Sequence, residues 1–271
     1  MATTATQASR NLQVSTPLGD DVLLALEFRA EESMSKMFEA TVDVQAEKSK
    51  DVPFDQLLGK PIVVGLAYPG NQEFRHFHGI CNRLSQGQSN VDYTRYRLHL
   101  APAQWLLTKR TQCRAFQQIN VPEILKQVFA GFDVSYQLQG KFEPRDYCIQ
   151  YRESDWDFAV RLMEEEGIYY YFKHSPSGHQ MVIANTPQSH PDVPFANTIT
   201  YKNVSQAPAQ DEDFIYEFGK SQEVTAGKIM LWDHCFEMPD NHLEVTAKIQ
   251  DSVQVGQVAH KLGVADNGQL E

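Results

Sequence analysis

The chain has 271 residues, 42% hydrophobic and 22% charged, which allows one large domain or two to three smaller ones. A formal net charge of -11 excludes a nucleic-acid binder that works through a broad basic surface, because phosphate contacts need clustered Lys and Arg; a local basic patch stays open. Cys81, Cys113, Cys148 and Cys235 lie far apart without a CxxC pair, as free thiols of a reducing compartment do. Met1 to Asn11 is polar and lacks the basic start and apolar core of a signal peptide. The apolar run Ile62 to Ala67 is far too short to cross a membrane. A soluble chain, made and folded in the cytoplasm, is expected.

From Leu12 to Ala101 the pattern is β. Val22 to Phe28 and Phe38 to Val44 carry β-formers on either side of a polar connection. Phe38, Ala40, Val42 and Val44 alternate with Glu39, Thr41, Asp43 and Gln45, as in a strand with one buried face. Leu57 to Pro61 leads into an Ile62 to Val64 strand, which Pro69-Gly70-Asn71 closes as a turn. Phe74 to Leu84 and Val91 to Leu100 follow, joined by the polar Gln86 to Asn90. In the second of these, Tyr96, Leu98 and Leu100 face one way and Arg95, Arg97 and His99 the other. Short strands at this spacing predict an antiparallel barrel.

The pattern then changes. Gln104 to Lys109 is a transition containing Trp105, Leu106 and Leu107. Asn120 is placed as an N-cap and Pro122 in a first helical turn; Ile124, Leu125, Val128 and Phe129 form its stripe, and Gly131 ends it. Phe132 to Leu138 reads as a strand. Asp146 to Phe172 then reads as strand, helix, strand. Cys148, Gln150 and Arg152 fall on one side of its first strand, Tyr147, Ile149 and Tyr151 on the other. Ser154 is the N-cap, Asp157 can reach back to it, and Asp155 and Asp157 sit at the positive end of the helix dipole. Trp156, Ala159, Val160 and Met163 recur at helical spacing, widened by Phe158 and Leu162. Gly167 is the stop, and Ile168 to Phe172 is a β-former run. His174 to Gly178 turns the chain into a hairpin partner, Gln180 to Ala184. Thr186 to Val193 is a loop or linker; Ile215 to Phe218, Val224 to Leu231 and Leu243 to Ile249 read as β.

The blocks Gln150-Tyr151-Arg152-Glu153-Ser154, Asp155-Trp156-Asp157-Phe158 and Arg161-Leu162-Met163-Glu164-Glu165-Glu166-Gly167-Ile168 closely resemble the VgrG family. Trp105-Leu106-Leu107-Thr108, Phe116-Gln117, Val121-Pro122-Glu123-Ile124 and Ile215-Tyr216-Glu217-Phe218 match it too. VgrG proteins are trimeric spike components of the bacterial type VI secretion machine, similar to the central hub of contractile phage tails. The resemblance covers the chain from about Pro17 to its end. It implies a mainly β, tail-hub-like fold with an α+β insertion. A first tail-tube-like barrel is expected over 1–103, and an α+β domain carrying the 146–172 motif over 104–200. The start of a second barrel, expected to be incomplete, falls over 201–271.

The resemblance also implies partners. Three copies with two barrels each would match the six-fold Hcp tube, with baseplate proteins and effectors as further partners. It implies no nucleic acid, no stable membrane insertion and no cofactor. Export through the secretion apparatus, to the extracellular space or a target cell, takes the place of a signal peptide. The family's oligonucleotide/oligosaccharide-binding-like barrel and β-helix needle are expected to lie outside this stretch.

Other chemistry has to be weighed beside this. His76 and His78 point to one side of a strand, and with His99 three imidazoles could hold zinc; a polar surface stripe is the plainer reading, and no metal site is assigned. His234 and Cys235 are adjacent, so on a strand they face opposite ways. Asp155, Asp157 and Glu164 to Glu166 offer carboxylates, but one helix cannot supply a glycosidase pair facing across a cleft. Cys148 reads as a buried structural thiol. Trp156, Phe158 and Tyr169 to Phe172 read as core or interface, with a ligand platform as the alternative. The phosphate-binding, GxSxG and HExxH motifs are absent from the sequence. A structural hub, with no catalytic residues, is therefore expected; a hydrolase and a free-standing effector-binding module are the alternatives.

Overall fold

A computed structural model describes residues 5–68, 73–189, 198–202, 214–219, 221, 227–248, 252–255 and 258–261. The expected turn at 69–71, part of the linker at 190–193, and Val224 and Ile249 lie outside them. The chain divides into two compact units, 1–214 and 215–271.

The first unit begins with an all-antiparallel six-stranded sheet. Its strands are β1 (Leu12–Ser15), β2 (Leu24–Glu31), β3 (Glu39–Glu47), β4 (Pro61–Ala67), β5 (Phe74–Ser89) and β6 (Tyr93–Ala101). They lie in the order β1-β4-β5-β6-β3-β2, so the sheet curls until its two edge strands approach each other. The alternation read in the sequence holds: Ala40, Val42, Val44, Leu98 and Leu100 are buried with Val14, Leu23, Ile62 and Val64 in a packed interior. Gln7 bridges the gap between the edges. Its amide donates to the Val14 carbonyl at 2.7 Å and accepts from the Val14 N–H at 3.0 Å, and it also lies 3.4 Å from the Leu23 carbonyl. A buried side-chain amide thus supplies ladder bonds that a short strand leaves open.

β5 runs beyond the expected Leu84 to Ser89, pairing with β6 across two register shifts. This arm is polar and mostly exposed, so hydrophobic alternation is silent there. Asn90 closes it, its side chain accepting from Asp92 and Tyr93 backbone N–H groups at 3.0 and 2.7 Å.

The α+β part contains β7 (Thr111–Phe116), α1 (Val121–Val128), β8 (Val134–Gln137), β9 (Cys148–Ser154), α2 (Asp155–Glu165), β10 (Tyr169–Ser175) and β11 (Gly178–Ala184). Asn120 caps α1 by accepting from the Glu123 N–H at 3.0 Å. Ser154 caps α2 in the same way through Asp157, at 3.0 Å. The Asp157 carboxylate then accepts from the Ser154 hydroxyl at 2.6 Å and not from its backbone N–H, since Asp is a methylene shorter than Glu. At the other end Gly167, with φ of 65°, donates to Glu164 and Ile168 donates to Met163, closing the helix in a Schellman motif. β10, β11 and β8 form a sheet in which β8 runs parallel to β11. Phe129, Trp156, Phe158, Leu162, Met163 and Tyr170 are among the buried residues of its core.

One strand face departs from the sequence reading. β9 pairs with β7, and between Tyr151 and Glu153 the register shifts so that Arg152 is skipped. Arg152 takes a φ of 54° and is exposed, while Cys148 and Gln150 stay buried. The bulge removes Arg152 from the face that simple alternation gives it. In the second unit, Lys228–Asp233 pairs with Leu243–Lys248, and Ser252–Val255 with Val258–Lys261, both as antiparallel hairpins. The expected Ile215 to Phe218 strand is reduced to Phe214–Ile215.

Candidate functional site

The motif read as 146–172 is organised by a buried carboxylate. Asp155, the first residue of α2, is fully buried. Arg114 donates to it at 2.8 Å, Gln150 at 2.8 Å and Gln112 at 3.4 Å, and the Arg110 guanidinium also bonds it. Its backbone N–H donates to the Arg110 carbonyl at 2.8 Å. Arg110, Gln112 and Arg114 reach it from one side of the β7 segment, a period-two polar pattern that was the available signal for this cage. Arg114 also donates to Gln150, its cross-strand partner, at 2.8 Å. Such a charge is tolerated in an interior only when it is paired and hydrogen-bonded. Asp155 therefore pins α2, β7 and β9 together, a role beyond serving the helix dipole.

Glu165 and Glu166, at the end of α2, are also engaged. Arg145 holds Glu165 at 2.5 Å and Glu166 at 2.8 Å; Arg161 adds Glu165 at 3.3 Å and Glu153 at 2.6 Å. These arginines hold the Glu165 carboxyl below its ordinary range against the opposing effect of its partial burial.

His76, His78 and His99 do not converge. His99 lies on β6 beside the Thr41 hydroxyl, and its register partner on β5 is Arg83. His78 instead meets two histidines of the β10–β11 hairpin. Its Nδ1 lies 2.9 Å from Nδ1 of His179, and its N–H donates to Nδ1 of His174 at 3.1 Å. His174 reaches Glu32 through Nε2 at 3.0 Å, and His179 Nε2 accepts from the Ala103 N–H at 2.9 Å. Phe38 packs edge-on against Phe172, His174 and His179. A β-carbon at Gly79 would stand 3.0 Å from the Ala101 carbonyl and 3.3 Å from the Phe38 ring, so the close packing of this seam favours glycine there. Burial, with the neighbouring imidazoles, pushes the His179 pKa down to about 4; burial lowers His78 as well. Sequence reasoning placed His174 in a turn and had no cue for this meeting, because it joins residues about a hundred positions apart.

The other candidates resolve plainly. His234 and Cys235 follow the end of a strand, so the opposite-face argument does not apply to them. Burial pushes the Cys81 thiol up to about 11 and raises that of Cys148, which disfavours the nucleophilic thiolate. Trp156, Phe158 and Tyr170 are core residues, and the hydroxyls of Tyr169 and Tyr171 bond the Thr186 and Ser189 carbonyls at 2.6 and 2.7 Å. An open groove of about 530 Å³ on the barrel includes Glu27, Asp43, Arg95 and Arg97 in its lining; Arg97 grips Asp43 with two bonds of 2.6 and 2.7 Å. Among the described residues, no three His, Cys, Asp or Glu side chains are grouped to hold a metal ion, and no helix is long and apolar enough to cross a membrane.

The near-closed antiparallel barrel thus continues into an α+β domain braced by an arginine-caged carboxylate. Two solved structures share the fold. The E. coli c3393 protein, described as a type VI secretion component similar to T4 tail proteins gp27 and gp5, matches with a TM-score of 0.57 and 20% identity. That match covers 72% of this chain and 53% of that one. A tail protein from Neisseria meningitidis MC58 gives a TM-score of 0.55 and 12% identity over 88% and 67% of the two chains. The phage tail baseplate hub family matches residues 31–265, and the chain belongs to that family. Type VI secretion spike proteins VgrG1b and VgrG1a of Pseudomonas aeruginosa are 36% and 37% identical, over 91% and 90% of this chain. The chain spans 33% and 38% of those relatives.

Proposed function

We propose that this chain is the structural hub region of a type VI secretion spike. It assembles as three copies, forms the base that meets an Hcp tube, and carries the puncturing and effector parts of the longer protein. The carrying observation is the match to the hub family over 31–265, on a chain whose barrel interior is filled and whose α+β core is cross-braced. Baseplate proteins are its further partners, and it leaves the cell with the apparatus. The domains fall at 1–103, 104–200 and 201–271, the last being the start of a second barrel. The hairpin Lys228–Asp233 with Leu243–Lys248 supports this last assignment. It exposes Ile229 and Leu231 on one face and Met230 and Trp232 on the other, as strands buried on both sides of an assembly do.

The role is architectural, and the hydrolase reading has less support. Among the described residues, the most buried carboxylate is consumed by two arginines and two amides, and the buried thiols are poor nucleophiles at neutral pH. Electron microscopy of purified chain mixed with preformed Hcp tubes tests the proposal. Density with three-fold symmetry at tube ends is expected; bare ends at saturating protein would contradict it.

A further inference from the structure

The seam between the barrel and the β10–β11 hairpin is built from groups whose protonation states are set by geometry. His179 Nε2 accepts the Ala103 N–H at 2.9 Å, so a neutral His179 carries its proton on Nδ1. That Nδ1–H then points at His78 Nδ1, 2.9 Å away, which must be the unprotonated acceptor. His174 Nδ1 accepts the His78 N–H at 3.1 Å, leaving its Nε2–H for the Glu32 carboxylate at 3.0 Å. Arg75 steadies Glu32 from the other side at 2.7 Å.

His174 Nδ1 also lies 3.2 Å from the His78 carbonyl. His179 has no room for a second proton. A proton on Nε2 sets a donor against the Ala103 N–H, and a proton on His78 Nδ1 sets a donor against the His179 N–H. Phe38 and Phe172 flank His179 and offer no counter-ion bond. The groups facing it are the two other imidazoles and Asp133, whose carboxylate is already bonded by Gln180 at 2.9 Å.

We propose that His78, His174 and His179 form an acid-sensitive latch that holds the β10–β11 hairpin on the barrel at neutral pH and releases it when His78 and His179 are protonated. Two depressed histidines stabilise the closed seam fully above the free imidazole pKa of about 6.5, and that stability is lost as pH falls toward the closed-state value. For His179 alone, closed at about 4, moving from pH 7.5 to 5.0 shifts the open-to-closed ratio roughly 30-fold.

Hydrogen exchange of the full chain at pH 7.5 and 5.0, corrected for intrinsic rates, tests the latch. Protection of the Ala103 and His78 amides should fall about 30-fold or more at pH 5.0 while amides inside α2 hold. Changing His78 and His179 together to Gln should remove the fall. Unchanged seam protection in the native chain, or the same fall in the variant, would overturn the proposal. If the variant does not fold, nitrogen NMR on the native chain decides: His179 as the Nδ1–H tautomer titrating near 4 supports the latch, and titration near 6.5 rejects it.

Discussion

Asp155 is a fully buried carboxylate that joins α2, β7 and β9. Removing it takes from Arg110, Arg114, Gln112 and Gln150 the acceptor they share. Asp155→Ala should therefore cost about 2–3 kcal/mol in denaturant melts, less than a fully buried pair because the Arg110 side chain is half-exposed. A loss below about 1 kcal/mol would show that the cage is idle. Trp156, next along the chain, is 8% exposed and packs edge-on against Tyr170 at 5.4 Å. Trp156→Ala should cost about 3–5 kcal/mol. Glu165 holds ion pairs to Arg145 and Arg161 at the polar end of α2, so Glu165→Ala should cost about 0.5–1 kcal/mol. Equal losses at Trp156 and Glu165 would mean the helix faces are misassigned.

At the scale of elements, β9 tests how the motif is aimed. The bulge at Arg152 forces a non-glycine residue to φ of 54° and so sends Ser154 to the head of α2. Arg152→Gly should raise stability by about 0.5–1 kcal/mol and Arg152→Val should lower it by more than 1 kcal/mol, read from the same melts. A loss with Gly equal to that with Val would contradict the strain. The barrel strands and α2 were legible because their apolar residues repeat at two or at helical spacing, and because Asn120, Ser154 and Gly167 mark ends chemically. β7 was not: its charged and polar residues point inward to a carboxylate, which inverts the usual pattern. The β5 extension and Gln7 were illegible for a related reason, since backbone pairing and a buried amide leave no hydrophobic trace. The Arg152 bulge has none either, because a register shift belongs to the pair of strands.

At the scale of the whole molecule, the proposed three-fold assembly brings together copies that each carry a formal charge of -11, and they repel one another in a way that salt screens. Association must then come from desolvated apolar surface, of which Tyr147, Ile149 and Tyr151 beside β9 and the Ile229 to Trp232 hairpin are exposed examples. Sedimentation velocity across a protein and salt series measures this directly. A monomer or weak oligomer at low salt that shifts to a trimer as salt and concentration rise is expected; a stable dimer that salt does not change would contradict the three-fold assembly.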